Sequence, residues 1–85
     1  GGLTKGANRM AQTIAPRITV DSAVRSGKPV IEGTRVPVDV IVGRLASGMT
    51  ATEIAEEYGI AVEDVTAALH YAAHVLESEE WRVTA

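Results

Sequence analysis

The spacing of apolar residues divides the chain into a short β region followed by three helices. Apolar residues at the one-face spacing of a helix predict a first helix that begins at Pro37 and stops at Gly48. The same spacing predicts a second helix over about 51–58 and a third over about 62–77. Upstream, the β-branched runs 17–20 and 28–32 predict two short strands.

The junction between the second and third helices has the features of a helix-turn-helix. Thr50 and Glu53 form the pattern of a capping box, which predicts where the second helix begins. Gly59 follows where the chain must turn, and glycine adopts a left-handed conformation at the least cost. We therefore predict a mainly α domain, with a three-helix helix-turn-helix core preceded by a short N-terminal β ribbon.

The predicted ribbon is small. Gly33-Thr34 predicts a tight turn with glycine first, as in a type II′ hairpin. A two-stranded ribbon needs a helix or another chain for stability. Because the strand edges are open, and because the apolar stripe of the third helix is wider than two short helices can cover, we expect a symmetric homodimer.

The two ends of the chain carry no comparable pattern. Residues 1–9 resemble an expression-tag remnant, since Met10 resembles a natural start. We expect a flexible N-terminus over 10–16, a helix-turn-helix domain over 17–77 and a loose C-terminal tail over 78–85.

Composition excludes several classes of site. Cysteine is absent, so disulfides, thiolate metal sites and a thiol nucleophile are excluded. No catalytic motif occurs, and we expect neither an enzyme nor a cofactor. His70 and His74 lie one helical turn apart but form an incomplete ligand set, so we predict no metal site. No apolar run approaches a membrane span and no signal peptide is evident, which favours a cytoplasmic protein.

Charge is distributed unevenly along the chain. Residues 10–48 carry five bases against three acids, whereas residues 49–85 carry eight acids against Arg82 alone. This asymmetry indicates that the two halves face different partners, or face each other in a dimer. The candidate nucleic-acid contacts are Arg17, Lys28, Arg35 and Arg44. Arg35 is the best single candidate for a phosphate or carboxylate contact, since a tight turn would hold its stem.

A helix-turn-helix commonly places the start of its second helix against DNA. Here that position carries Glu63 and Asp64, whose carboxylates would repel a phosphate backbone. Three interpretations stay open at this point, and direct DNA binding through this helix is the first of them. The other two are that the motif is a packing scaffold, and that DNA is bound through the more basic N-terminal half, in a dimer or together with a partner protein.

Four segments of the chain, 18–21, 26–38, 45–50 and 54–73, resemble domain-of-unknown-function family 433, and Gly-Lys-Pro-Val-Ile…Gly-Thr-Arg-Val-Pro is the most specific block. The resemblance implies a homeodomain-like helix-turn-helix fold. It also implies an antitoxin of a bacterial toxin–antitoxin pair, similar to VapB-type antitoxins, whose toxin is typically a PIN-like ribonuclease. No catalytic residues come with the family. Where the family usually has Ser or Thr before the third helix, this chain has Ala61.

We therefore expect a module that binds and neutralises a PIN-like ribonuclease toxin, with autoregulatory binding of operator DNA as a further option. An acidic surface suits the basic groove of a ribonuclease, and Glu77 and Trp81 are the candidate partner contacts. Trp81 could equally fold back on its own domain. The alternatives are a stand-alone helix-turn-helix regulator and a homo-oligomeric structural module.

Overall fold

The computed structural model describes residues 11–78, which form three strands followed by three helices. The strands are β1 (Ala11–Ala15), β2 (Ile18–Asp21) and β3 (Val30–Ile31), and the helices are α1 (Val38–Ala46), α2 (Ala51–Tyr58) and α3 (Val62–Ser78). Within this described part, no helix has the length and apolar character needed to cross a membrane. The expected tag remnant and all of the expected tail beyond Ser78 lie outside the described residues.

The strands form one antiparallel sheet in the order β1-β2-β3. Gln12 pairs with Val20 and Ile18 pairs with Ile31, with an irregularity in β1 between Thr13 and Ala15. The prediction of a two-stranded ribbon and a flexible segment over 10–16 missed β1. The first four residues of β1 are exposed, so they carry no apolar alternation that could identify a strand. The fold is mixed, with three helices and a three-stranded sheet.

The turn after β3 differs from the predicted one by one position. It spans residues 31–34, with the Thr34 amide donating to the Ile31 carbonyl at 3.0 Å. Gly33 is its third residue, with φ of 77°, so the predicted type II′ turn with glycine first is wrong. The Thr34 hydroxyl donates to the Ile31 carbonyl at 2.7 Å and accepts from the Val36 amide at 3.0 Å. These two bonds hold Thr34 at the last position of the turn.

Both ends of α1 are fixed by backbone geometry. Pro37 is extended and caps the helix, so α1 begins at Val38, one residue later than predicted. At the other end Gly48 has φ of 105°, and the Met49 amide donates to the Arg44 carbonyl at 3.1 Å. This is the left-handed stop that the sequence predicted at Gly48.

Every major element except β1 contributes to a single core. The largest fully buried side chains are Ile18, Ile31, Ile41, Ile54 and Val65, supplied by β2, β3, α1, α2 and α3 in turn. Each contributes about 1.5–3 kcal/mol of burial free energy relative to an exposed side chain. In a chain without Phe, branched aliphatic residues therefore tie the sheet to the three helices.

Candidate partner-binding surface

The helix-turn-helix is formed by α2 and α3. The Thr50 hydroxyl accepts the Glu53 amide at 3.1 Å, while the Glu53 carboxylate accepts the Thr50 amide at 2.8 Å, so the predicted capping box is confirmed. Gly59 has φ of 67°, in the left-handed region that the sequence predicted. The Ile60 amide then donates to the Ala55 carbonyl at 3.0 Å, which closes the turn.

The start of α3 is held by Asp64. Ala61 has no side chain that could cap the helix, and the Asp64 Oδ2 accepts the Ala61 amide at 2.9 Å instead. The Asp64 Oδ1 accepts Arg17 Nη1 at 2.8 Å, and the Asp64 side chain is only 15% exposed. One carboxylate therefore stabilises the helix terminus and ties it to the β1–β2 turn.

This contact changes the role that the sequence suggested for Arg17. The hydrogen bond to Asp64 raises the pKa of Arg17 above its ordinary value, and burial opposes the rise only partly. Arg17 also has φ of 67°, a left-handed conformation that favours glycine. Because Arg17 holds this conformation and pairs with a carboxylate, its side chain contributes to the stability of the fold and is not simply a free contact for a ligand.

Two further candidate bases also have partners inside the domain. Lys28 Nζ lies 3.1 Å from Asp39 Oδ2, beside the first turn of α1. Arg44 Nε donates to the Tyr58 hydroxyl at 2.9 Å, which links the end of α1 to the end of α2. This hydrogen bond, with a smaller contribution from the Glu57 carboxylate, raises the pKa of Arg44.

Arg35 differs from the other three candidate bases. It is exposed and makes no side-chain hydrogen bond or ion pair with any other described residue. It lines a depression of about 660 Å³ beside the sheet, together with Asp21 and Glu32. The structure therefore distributes Arg17, Lys28, Arg35 and Arg44 over separate parts of the domain.

The charge that the structure does bring together is negative. Three exposed carboxylates of α2 line a shallow depression of about 480 Å³ with Met49; they are Glu53, Glu56 and Glu57. We call this surface the acidic face. Within residues 11–78, the ion pairs are Arg17–Asp64 and Lys28–Asp39, so none of these three carboxylates has a cation partner there.

The acidic face was not selected residue by residue from the sequence. The available signal was the excess of acids after residue 48, which places charge in a segment without giving its geometry. Glu56 and Glu57 are adjacent in sequence, and a helical wheel alone does not show that both face open solvent. The two predicted partner contacts lie elsewhere: Glu77 is exposed in the last turn of α3, and Trp81 lies outside the described residues.

The histidine pair lies on another surface. His70 and His74 are exposed and line a groove of about 600 Å³ between α3 and the β1–β2 turn. Across residues 11–78, no group of three or more His, Cys, Asp or Glu side chains is arranged to hold a metal ion.

Comparison with known proteins supports the family resemblance. A family model described as "Protein of unknown function (DUF433)" matches residues 18–72. This match confirms the resemblance that the Gly-Lys-Pro-Val-Ile…Gly-Thr-Arg-Val-Pro block indicated. No curated protein matches the chain.

The solved structures similar to this one include two crystal structures. The crystal structure of a DUF433 member protein from Anabaena variabilis ATCC 29413 superposes with a TM-score of 0.67 at 28% identity, covering 91% of this chain and 76% of that chain. The crystal structure of Rv2018 from Mycobacterium tuberculosis gives a TM-score of 0.60 at 22% identity and covers 81% of this chain. At that identity, the second likeness shows the fold alone. This chain spans 39% of the length of the mycobacterial protein.

Proposed function

The chain belongs to the DUF433 family, and from that premise we propose that it is an antitoxin-like module whose acidic face binds a basic partner protein. The partner that we propose is a PIN-like ribonuclease toxin. The observation that carries the proposal is the set of three exposed carboxylates on α2, none of which forms an ion pair within residues 11–78.

A ribonuclease suits this surface for a physical reason. An enzyme that holds RNA needs basic side chains to neutralise phosphates, and the same groove attracts a cluster of carboxylates. Such complementarity accelerates association and makes it sensitive to salt. Occupation of the groove by Glu56, Glu57 and their neighbours would exclude RNA and so neutralise the toxin.

The position of the acidic face also fits a binding role. Glu53 is tied into the capping box with Thr50. Glu56 and Glu57 make no side-chain hydrogen bond to another described residue. A partner cation could therefore pair with these two carboxylates without first breaking a contact that holds the domain together.

The test is co-expression with the product of the adjacent reading frame, followed by pull-down and an RNA-cleavage assay. We expect the two proteins to co-purify and cleavage to be inhibited. Glu56→Lys should weaken the complex by at least about tenfold, because it replaces an attraction by a repulsion. Glu32→Lys, which makes the same charge change at an exposed turn beside the sheet, is the matched control and should bind as the wild type does.

A stand-alone DNA-binding regulator is the second candidate, and the helix-turn-helix geometry itself favours it. Against it, the exposed Glu63 lies in the first turn of α3, and three of the four candidate bases have partners inside the domain. If the adjacent gene product neither binds nor is inhibited, while the free domain shifts promoter DNA at nanomolar concentration, the regulator is correct and the antitoxin proposal is wrong. Specific DNA affinities are typically ~10⁻⁸–10⁻¹¹ M.

A further inference from the structure

The second half of α3, residues 69–78, is rich in apolar side chains that the rest of the domain leaves partly or largely exposed. No residue of α3 after Ala68 is fully buried: Tyr71 packs against the core from a half-buried position, Ala72 and Val75 are half-buried, and Leu69 and Leu76 are exposed. Leu69 is 43% exposed and Leu76 is 54% exposed. The reason is length: the 17 residues of α3 extend about 25 Å, whereas the eight residues of α2 extend about 12 Å.

The same stretch is free of formal charge. Residues 65–76 contain no Asp, Glu, Lys or Arg, in a chain with a formal net charge of −3. A shallow groove of about 520 Å³ lies beside this stretch, between α3 and the start of α1. Its apolar lining includes Pro29, Val38, Val42, Ala72, Val75 and Leu76, and Lys28 and Asp39 also line it. We call it the apolar groove.

We propose that the second half of α3 and the apolar groove form the interface of a symmetric dimer of this chain. Leu76 of each copy would insert into the apolar groove of the other, with the two α3 helices antiparallel about the two-fold axis. The projecting Leu76 side chain and the apolar groove lie on the same surface of the domain, as the self-complementary interface of a two-fold dimer requires. Ala72 and Ala73 are small enough to let the helix axes approach to about 8–10 Å.

Charge selects a second copy as the occupant. Two copies of this acidic protein repel each other least across the uncharged residues 65–76, whereas a basic partner would find only Asp39 and Glu77 at the rim of this face. The rim is also complementary. Insertion of Leu76 beside the partner's Lys28 would bring the adjacent Glu77 close to that lysine, whose side chain is 57% exposed and would then share its charge between Glu77 and its own Asp39, 3.1 Å away.

The size of the surface sets the expected strength. Residues 69–78 span about 15 Å of helix, so the interface falls at the low end of the range for specific complexes, near or below ~1,200 Å² in total. We therefore expect a dissociation constant of roughly 10 µM. The interface does not depend on the proposed function, because the acidic face lies on α2 and stays free.

The first experiment is sedimentation velocity from about 1 to 500 µM, a range that brackets the expected constant. Wild-type protein should pass from monomer to dimer, and Leu76→Glu should stay monomeric with an unchanged melting temperature. Val62→Glu is the matched control, since Val62 is 42% exposed at the other end of α3 and should leave the dimer intact. A wild type that is monomeric throughout, or a dimer that is lost in Val62→Glu but kept in Leu76→Glu, overturns the proposal.

A mixing experiment tests the rim contact. Lys28→Glu and Glu77→Lys should each weaken self-association about threefold to tenfold, because each places like charges together twice in the dimer. An equimolar mixture of the two variants should recover the wild-type affinity, since both rim pairs are then of opposite sign. Failure of the mixture to recover would show that Lys28 and Glu77 do not meet across the interface.

The same variants identify other occupants of the apolar groove. Trp81 is the only tryptophan, so its fluorescence reports on the segment after Ser78. A red shift of Trp81 emission caused by Leu76→Glu, in a protein that is monomeric, would show that the chain's own C-terminal segment fills the groove. If the wild type is monomeric and Leu76→Glu no longer binds the ribonuclease, the apolar groove is the binding site of the toxin. Either result contradicts the dimer.

Discussion

The two halves of α3 belong to one continuous helix but have opposite relations to the rest of the domain. Residues 62–68 contain the buried Val65 and Ala68, and Asp64 joins them to the sheet through Arg17. Residues 69–78 contain no fully buried residue, although six of the ten have apolar or aromatic side chains without charge. The first half therefore stabilises the fold, and the second half, apart from Tyr71, which packs against the core, presents a surface whose burial is left to a partner. Substitutions in the two halves should separate these effects.

Truncation of the buried side of α3 should have the largest effect on stability. Val65→Ala removes two methyl groups from a position that is 1% exposed and should destabilise the domain by about 2–3 kcal/mol. The matched truncation Leu76→Ala should change the free energy of unfolding by less than about 0.5 kcal/mol. Urea denaturation measures both. An equal loss of unfolding free energy in Val65→Ala and Leu76→Ala would contradict the different roles assigned to the two halves of α3.

Substitution in the turn that leads into the first half of α3 should have the next largest effect on stability. Gly59→Val should destabilise the domain by about 1–3 kcal/mol through backbone strain alone, since no atom lies within 4 Å of a Cβ added there. Gly43→Ala is the control, because Gly43 lies inside α1 with equal free space and without positive φ. That substitution should stabilise by up to about 1 kcal/mol. A thermal melt unchanged by Gly59→Val would contradict the assigned turn.

A smaller effect is expected at the junction between α3 and the sheet. Asp64→Ala removes the acceptor of the Ala61 amide and should cost about 1 kcal/mol, the usual effect of losing a helix cap. Arg17→Ala leaves that cap in place and should lower the melting temperature less. Because the pKa of Arg17 is raised, the guanidinium stays charged throughout the working pH range. The contribution of the ion pair to stability should therefore fall as salt is added. It should not fall as the pH rises, as long as the pH stays below the raised pKa of Arg17. An Arg17→Ala variant less stable than Asp64→Ala would reverse the assigned order.

Local chemistry explains which parts of the fold were predictable. The helix-turn-helix depends on signals a few residues apart, such as Thr50 with Glu53 and the glycine at 59, and the structure reproduces each one. β1 depends on pairing with β2, and its exposed residues carry no periodic signal of their own. The turn after β3 is shifted by one residue because Gly33, with φ of 77°, occupies its third position, and the Thr34 hydroxyl bonds the Ile31 carbonyl and the Val36 amide.

The site was less predictable than the fold, for a related reason. Sequence gives the sign of charge but not its partners, and Asp64 could not be matched to Arg17 across 47 positions. The four candidate bases were chosen for charge, and Arg35 also for its tight turn; the other three prove to have intramolecular partners. The acidic face emerged only when the structure showed which carboxylates lack a cation partner within residues 11–78.

The proposed function depends most directly on the acidic face, and calorimetric titration of the adjacent gene product with wild type and Glu56→Lys tests it. The account predicts tight binding by the wild type that weakens as salt is raised, with Glu56→Lys weaker by at least about tenfold and less sensitive to salt. Equal affinity for Glu56→Lys and wild type at every salt concentration would contradict it.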